Sequence, residues 1–168
     1  MSRLSKQEKL AGRLKIACQL YPCNVLFVHR DAEKMTYEER SREIATAYAE
    51  AGLTVPYVDV IPVRMTEAWM LHDQDAIKLA ADNPSGKVTL SLPALKRVHL
   101  LPDPKAELEK LLINASELSK RRLKKFKARQ RMHRLAELIE DFAPLREQAS
   151  FRRLEQQIIE LREVLTTS

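Results

Sequence analysis

Glycine is scarce in this chain, with three in 168 residues. Glycine is what sharp turns and phosphate-cradling loops need, so its scarcity favours a helix-rich chain and argues against nucleotide loops. No Gly-x-Gly-x-x-Gly or Walker-type run is present. The two cysteines, Cys18 and Cys23, flank Pro22 and are too few for a disulfide framework or a complete zinc site. They are expected to be buried thiols. No apolar run approaches a membrane span, and the charged N-terminus leads into an amphipathic stretch, not a continuous apolar leader. The cytoplasm is the expected setting.

What is present is charge, at 31% of residues beside 45% hydrophobic, the balance of a folded chain with a charged surface. The formal net charge of +6 is unevenly placed. From Lys120 to Arg134 there are nine Lys or Arg and no acid: Lys120, Arg121, Arg122, Lys124, Lys125, Lys127, Arg129, Arg131 and Arg134. Without those nine, the 29 basic residues fall to 20 against 23 acids, a remainder of −3. The basicity is local. On a helix so many like charges repel one another, while Leu123, Phe126 and Met132 offer only a thin apolar stripe. Two explanations stand side by side. Either the block meets a polyanion such as nucleic acid, with salt-dependent affinity, or it is a solvated face opposed by Glu137, Glu140 and Asp141.

The length suits one domain, an α/β core over residues 1–101 with a helical C-terminal extension over 102–168 packed on it. Leu10, Leu14, Ala17 and Cys18 lie at helical spacing in a segment from Ser5 to Leu20 that Tyr21-Pro22 ends. Asn24 to His29 is a short apolar run, the pattern of a central strand covered on both faces. Thr36-Tyr-Glu-Glu39 is a capping box opening a helix that Gly52 closes. Tyr57 to Ile61, with Pro56 and Pro62 at its margins, reads as a second strand. Strand, helix and strand so close together predict a βαβ unit with parallel strands. A further helical pattern starts at Thr66, Asp73 caps another short helix, and Val88 to Leu90 is either a short strand or none. Asp103-Pro104 starts a mostly helical remainder, broken near Ala115-Ser116, around Phe126 to Ala128, and at Pro144.

Parallel α/β sheets place working residues just past the carboxyl ends of strands. Asp31 and Glu33 occupy that place after the first strand, and Glu67 follows the second. Two carboxylates at i and i+2 of a turn can face one hard cation such as Mg²⁺. Equally, such acids serve as turn formers or helix caps, and Glu67 can simply favour a helix N-terminus. His29 is open to roles as ligand, general base or hydrogen-bonded core residue. Trp69 and Met70 read as core, and His72, His99 and His133 have no partner at metal-ligand spacing.

Phe27-Val-His-Arg-Asp-Ala-Glu33, Ile61-Pro-Val-Arg-Met-Thr-Glu-Ala-Trp-Met-Leu-His-Asp73, Leu101-Pro-Asp-Pro-Lys105 and Ala136-Glu-Leu-Ile-Glu-Asp-Phe-Ala-Pro-Leu145, with Phe151, together carry a resemblance. The chain resembles a bacterial family catalogued only as a domain of unknown function, with a Toprim-like α/β core. The resemblance implies a small, mostly parallel Toprim-like sheet with covering helices and a helical C-terminal region. Toprim-like proteins hold Mg²⁺ for phosphodiester chemistry with a glutamate after their first strand and an acidic pair after a later one. By resemblance Asp31 and Glu33 take the acidic-pair position as metal ligands, and Glu67 belongs to a shared segment without an assigned role. The glutamate-bearing strand is not found before residue 5, so a missing segment, another chain or a loss of activity would account for it. Two functions follow as expectations. One is a defence-associated, Mg²⁺-dependent phosphodiester-cleaving protein, with Asp31, Glu33 and Glu67 catalytic and the basic block, Lys120 to Arg131, on the nucleic acid. The other is a non-catalytic subunit that docks to a larger partner, such as an ATPase or a nucleic-acid-processing protein.

Overall fold

The computed structural model describes residues 9–63 and 65–167. The chain forms two compact units, one of Met1–Val63 with Arg153–Ser168 and one of Arg64–Arg152. This grouping runs across the lengthwise division drawn at residue 101. Among the described residues, no helix is long and apolar enough to cross a membrane.

In the first unit, α1 (Leu10–Leu20) packs Leu14 into a core shared with α2 (Tyr37–Ala51). The expected helix start at Ser5 lies outside the described residues. Tyr21, before Pro22, closes the helix by donating its amide to the Ala17 carbonyl at 2.8 Å. Residues 21–24 are then exposed, and this corrects the expectation of buried thiols: Cys23 is exposed and Cys18 partly so. Proline ends the helix at the surface, and Cys23 follows it there.

The strands β1 (Leu26–His29) and β2 (Tyr57–Val60) pair in parallel, with Val28 opposite Asp59, and α2 connects them. The expected βαβ unit is present. The sheet has two strands among the described residues. Val28 of β1 is buried while Phe27 and His29 are exposed, so the expectation of a central strand covered on both faces is corrected. A strand with one neighbour and one packed face buries alternate residues even where its sequence is continuously apolar. The outward amide of Asp59 donates to Gln157 Oε1 at 3.0 Å, so a side chain of α7 (Ala149–Thr167) supplies an acceptor where a third strand would. That helix begins in the second unit and runs into the first.

Local chemistry sets the ends of α2. Thr36 Oγ1 accepts the Glu39 amide at 3.2 Å, and Glu39 Oε2 accepts the Thr36 amide at 2.7 Å. Gly52 closes the helix at φ +64°, the left-handed conformation glycine adopts without a Cβ penalty. The buried face of α2 carries Ile44, Ala47 and Ala51 at helical spacing.

The second unit is helical. A 3₁₀ turn at Thr66–Met70 precedes α3 (Gln74–Ala80), which packs with α4 (Pro104–Ser116) and α6 (Ala128–Leu138). Ile77, Leu108, Leu112 and Leu135 are sealed between them. Asp73 and Asp103 cap α3 and α4 by accepting the amides of Ala76 and Ala106 at 2.8 and 2.9 Å. Further 3₁₀ turns lie at Leu95–Leu100 and Ala143–Glu147, and the short α5 (Lys120–Leu123) precedes α6. Val88–Leu90 is not a strand. Glu117 Oε1 takes the Lys87 and Val88 amides at 3.1 and 2.8 Å, and Gln74 Oε1 takes that of Leu90 at 3.0 Å.

Thr36→Ala removes the cap and lowers the unfolding free energy by about 1 kcal/mol. Gly52→Ala costs a similar amount, about 1 kcal/mol, through its positive φ alone, because a Cβ there meets nothing within 4 Å. Urea unfolding of the two variants measures both losses.

Candidate functional site

The turn after β1 continues the parallel pairing beyond the strands. Arg30 donates its amide to the Val60 carbonyl at 3.0 Å, and Ala32 donates to Pro62 at 2.9 Å. Ala32 is 1% exposed and forms the buried hub of the turn. Its carbonyl accepts the Met35 amide at 2.9 Å and the guanidinium of Arg40 at 3.3 Å. Asp31 and Glu33 flank this hub, Asp31 partly buried and Glu33 exposed. Glu33 adopts φ +56°, a left-handed conformation that costs a residue with a Cβ on the order of 1 kcal/mol. His29 Nε2 lies 3.7 Å from Asp31 Oδ1, which places the histidine beside the acid at the exposed strand end.

Arg40 is the residue the sequence reading missed here. It is 5% exposed, and Glu43 holds its guanidinium from one turn along α2. Glu43 also accepts from Arg30 at 3.0 Å, so one carboxylate bridges two arginines beside the turn. The signal was available: Arg40 falls in register with Ile44, Ala47 and Ala51 on the buried face of α2. A cation on an apolar stripe needs a buried partner.

Glu67 belongs to the second unit, in the first turn of the 3₁₀ segment, with Lys105 Nζ 3.6 Å from its carboxylate. Among the described residues, no group of three or more His, Cys, Asp or Glu could hold a metal ion. What the turn itself offers a cation is the pair Asp31 and Glu33. Mg²⁺ commonly uses one or two carboxylates and keeps waters or substrate phosphates for its other positions. The donor set is therefore compatible with Mg²⁺ but weak by itself.

No family model, curated protein or solved structure matches the chain.

The basic block occupies the surface of the second unit. Its charges begin on α5, pass through the turn at Lys124–Lys127 and continue along α6, so the helix breaks near Phe126 as expected. Lys120, Arg121, Arg122, Lys124, Lys125, Lys127 and Arg129 are all exposed. Arg131 and Arg134 differ, because both pair with Asp82. Asp82 therefore opposes two of the nine cations; Glu137, Glu140 and Asp141 were the acids named in the solvated-face alternative. Half-buried Phe126 sits in the middle of the charges, with the Arg131 guanidinium 5.9 Å from its ring centre. Beside it lies a cleft of about 460 Å³ lined by Leu118, Arg122, Lys125, Phe126, Lys127, Gln130 and Arg131.

A second acid also escaped the sequence reading. Asp59, in the middle of β2, is 5% exposed and accepts the Ser41 hydroxyl at 2.5 Å on Oδ2, while Oδ1 has no hydrogen-bond partner among the described residues. Burial raises its carboxyl above the ordinary value of 3.8, and the Ser41 hydrogen bond opposes that rise in part. Its signal in the sequence was an acid between Val58 and Val60 in an otherwise apolar strand. His72 bridges segments differently: its ring nitrogens lie 2.9 and 3.0 Å from the carbonyl oxygens of Trp69 and Asp141.

Two outcomes follow. Glu43→Ala strips the carboxylate from a buried arginine and costs on the order of 3 kcal/mol; hydrogen exchange then shows the Ala32 amide losing protection with it. For Asp59, the folded protein holds the proton more tightly than the unfolded chain. Its ionisation therefore costs stability as pH rises from 3.8 through the raised folded value. Asp59→Asn stabilises the protein at pH near 7, and the gain shrinks towards zero as pH falls towards 3.8. Urea midpoints across that range read the trend.

Proposed function

We propose that the protein binds nucleic acid through the basic surface around α5 and the start of α6. The observation that carries the proposal is the set of seven exposed cations from Lys120 to Arg129, none with an acidic partner among the described residues. Folding such a cluster without acids to offset it costs self-repulsion, which a phosphate backbone relieves by displacing condensed counterions. Phe126 adds an aromatic face beside Arg122 and Lys125, the combination on which a base can stack while phosphates meet the cations. A cytoplasmic setting belongs to the same proposal.

The acidic turn supports a second reading, in which the βαβ unit is part of a Toprim-like core and the bound nucleic acid is cleaved. It is favoured by the placing of Asp31 and Glu33 just past the end of β1, beside β2. Asp31 and Glu33 would hold Mg²⁺, whose chemistry is to polarise a phosphate and lower the pKa of bound water. Arg131 would join the other cations on the backbone. Without cleavage, the same chain serves as a binding subunit of a larger assembly, such as one built on an ATPase, in a defence-associated role.

Binding is tested by titrating labelled single- and double-stranded DNA and RNA at 50–200 mM salt, on the order of the range where phosphate contacts dominate. Affinity falls steeply with salt, with a log–log slope steepening by about 0.9 for each contacted phosphate of a duplex. The pair Lys124→Glu and Lys125→Glu weakens binding roughly tenfold or more and flattens the slope by about two. Undetectable binding at low salt, unmoved by these reversals, would refute the proposal. Cleavage has its own test: plasmid nicked with Mg²⁺ or Mn²⁺ and spared by Asp31→Ala supports it, and plasmid left intact removes it.

A further inference from the structure

The first unit contains an open groove of about 670 Å³ where β2, α2 and α7 meet, with Asp59 in its wall. The hydrogen bonds around Asp59 leave its carboxyl short of a donor. Ser41 gives its hydroxyl to Oδ2, and Oδ1 has no hydrogen-bond partner among the described residues. Gln157 cannot serve, because its amide nitrogen goes to the Tyr37 hydroxyl at 3.0 Å and its oxygen to the Asp59 backbone. Nor is Arg153 available: it pairs with Glu38 at 2.6 Å and lies over the Tyr37 ring at 4.3 Å from its centre. The groove wall holds a second acid, Glu160, whose carboxylate accepts from Gln156 at 2.9 Å. Leu161, Val164 and the Tyr57 ring supply the apolar part of the wall.

Two carboxyl groups, one of them buried with one oxygen unpartnered, lie beside a guanidinium already committed elsewhere. The missing component is a cation carrying N–H donors, with methylenes to cover the apolar wall. We propose that this groove binds a small aliphatic amine, its ammonium group donating to Asp59, and that a diamine of suitable length reaches Glu160 with its second ammonium. Aromatic rings beside the carboxyl favour a cation further. This site is independent of nucleic-acid binding, which the second unit carries.

The test uses the full chain, freed of nucleic acid so that amines have no other polyanion to bind. Calorimetry and thermal unfolding are run with 1,4-diaminobutane, butylamine and, as the uncharged control, 1-butanol. Both amines bind saturably and raise the melting temperature, the diamine more tightly, and 1-butanol does neither. Asp59→Asn weakens both amines at least tenfold, whereas Glu160→Gln weakens the diamine and spares butylamine. Because Asp59 is also structural, Val164→Trp provides a second variant, filling the groove from an exposed helix position. It abolishes amine binding while circular dichroism and the unfolding midpoint stay near those of the unmodified chain. Equal response to 1-butanol and the amines, no saturable binding, or binding unchanged in both Asp59→Asn and Val164→Trp would overturn the proposal.

Discussion

Ala32 is held from three directions, and the architecture of the first unit can be traced from it. Its amide extends the parallel pairing of β1 and β2 beyond the regular strands to Pro62, while its carbonyl takes the Met35 amide and the Arg40 guanidinium. Four-residue strands give few ladder hydrogen bonds, so a two-stranded sheet is marginal alone. The extra bond at the turn and the buried arginine fix strand, turn and helix to one another. Arg40 in turn depends on Glu43, because a buried guanidinium without a carboxylate carries an uncompensated desolvation cost. The two candidate ligands, Asp31 and Glu33, flank this hub, Asp31 partly buried and Glu33 exposed.

The same physical solution recurs where strands would otherwise be needed. Backbone donors not met by a neighbouring strand are met by long polar side chains: Gln157 at Asp59, Glu117 at Lys87 and Val88, and Gln74 at Leu90. Each substitutes one or two oxygen acceptors for a ladder. Glu117 pays for this locally with a left-handed backbone at φ +49°. Its carboxyl is held below the ordinary range, first by the Asn83 amide and then by the backbone amides it accepts. A charged acceptor is stronger than a neutral one, which is why a single carboxylate can organise a segment that forms no strand.

How legible these features were in the sequence follows from their range. Thr36 with Glu39, Gly52, Asp73 and Asp103 act within four residues of themselves, and the spacing of the sequence carries that information whole. Parallel pairing was also legible, since a connecting helix between two apolar runs leaves little alternative. What failed required knowledge of neighbours far along the chain. Whether β1 is covered on both faces depends on how many strands join it, and a run of apolar residues from Val25 to Val28 looks the same in either case. The committed pairing of Arg131 and Arg134 to Asp82 spans about fifty residues, so proximity in sequence pointed to Glu137, Glu140 and Asp141 instead. Asp59 was visible as an anomaly, but its partner Gln157 lies in the final helix.

Charge explains both the interruption of the basic segment and the surface it makes. Continuous helix from Lys120 through Arg134 would set like charges three and four residues apart with no acid between them, each such pair unfavourable by a few tenths of a kcal/mol, roughly. The chain instead makes four residues of α5, turns at Lys124–Lys127, and restarts at Ala128. The restart buries Ala128, Met132 and Leu135 on one side. Asp82 then pairs with two arginines of α6, Arg131 and Arg134, and offsets part of their charge. The remaining cations lie on α5, in the turn and at the start of α6, all exposed and with no acidic partner among the described residues. Uncompensated charge of one sign opposes the folding of this segment, and this is the physical ground for proposing a polyanionic partner.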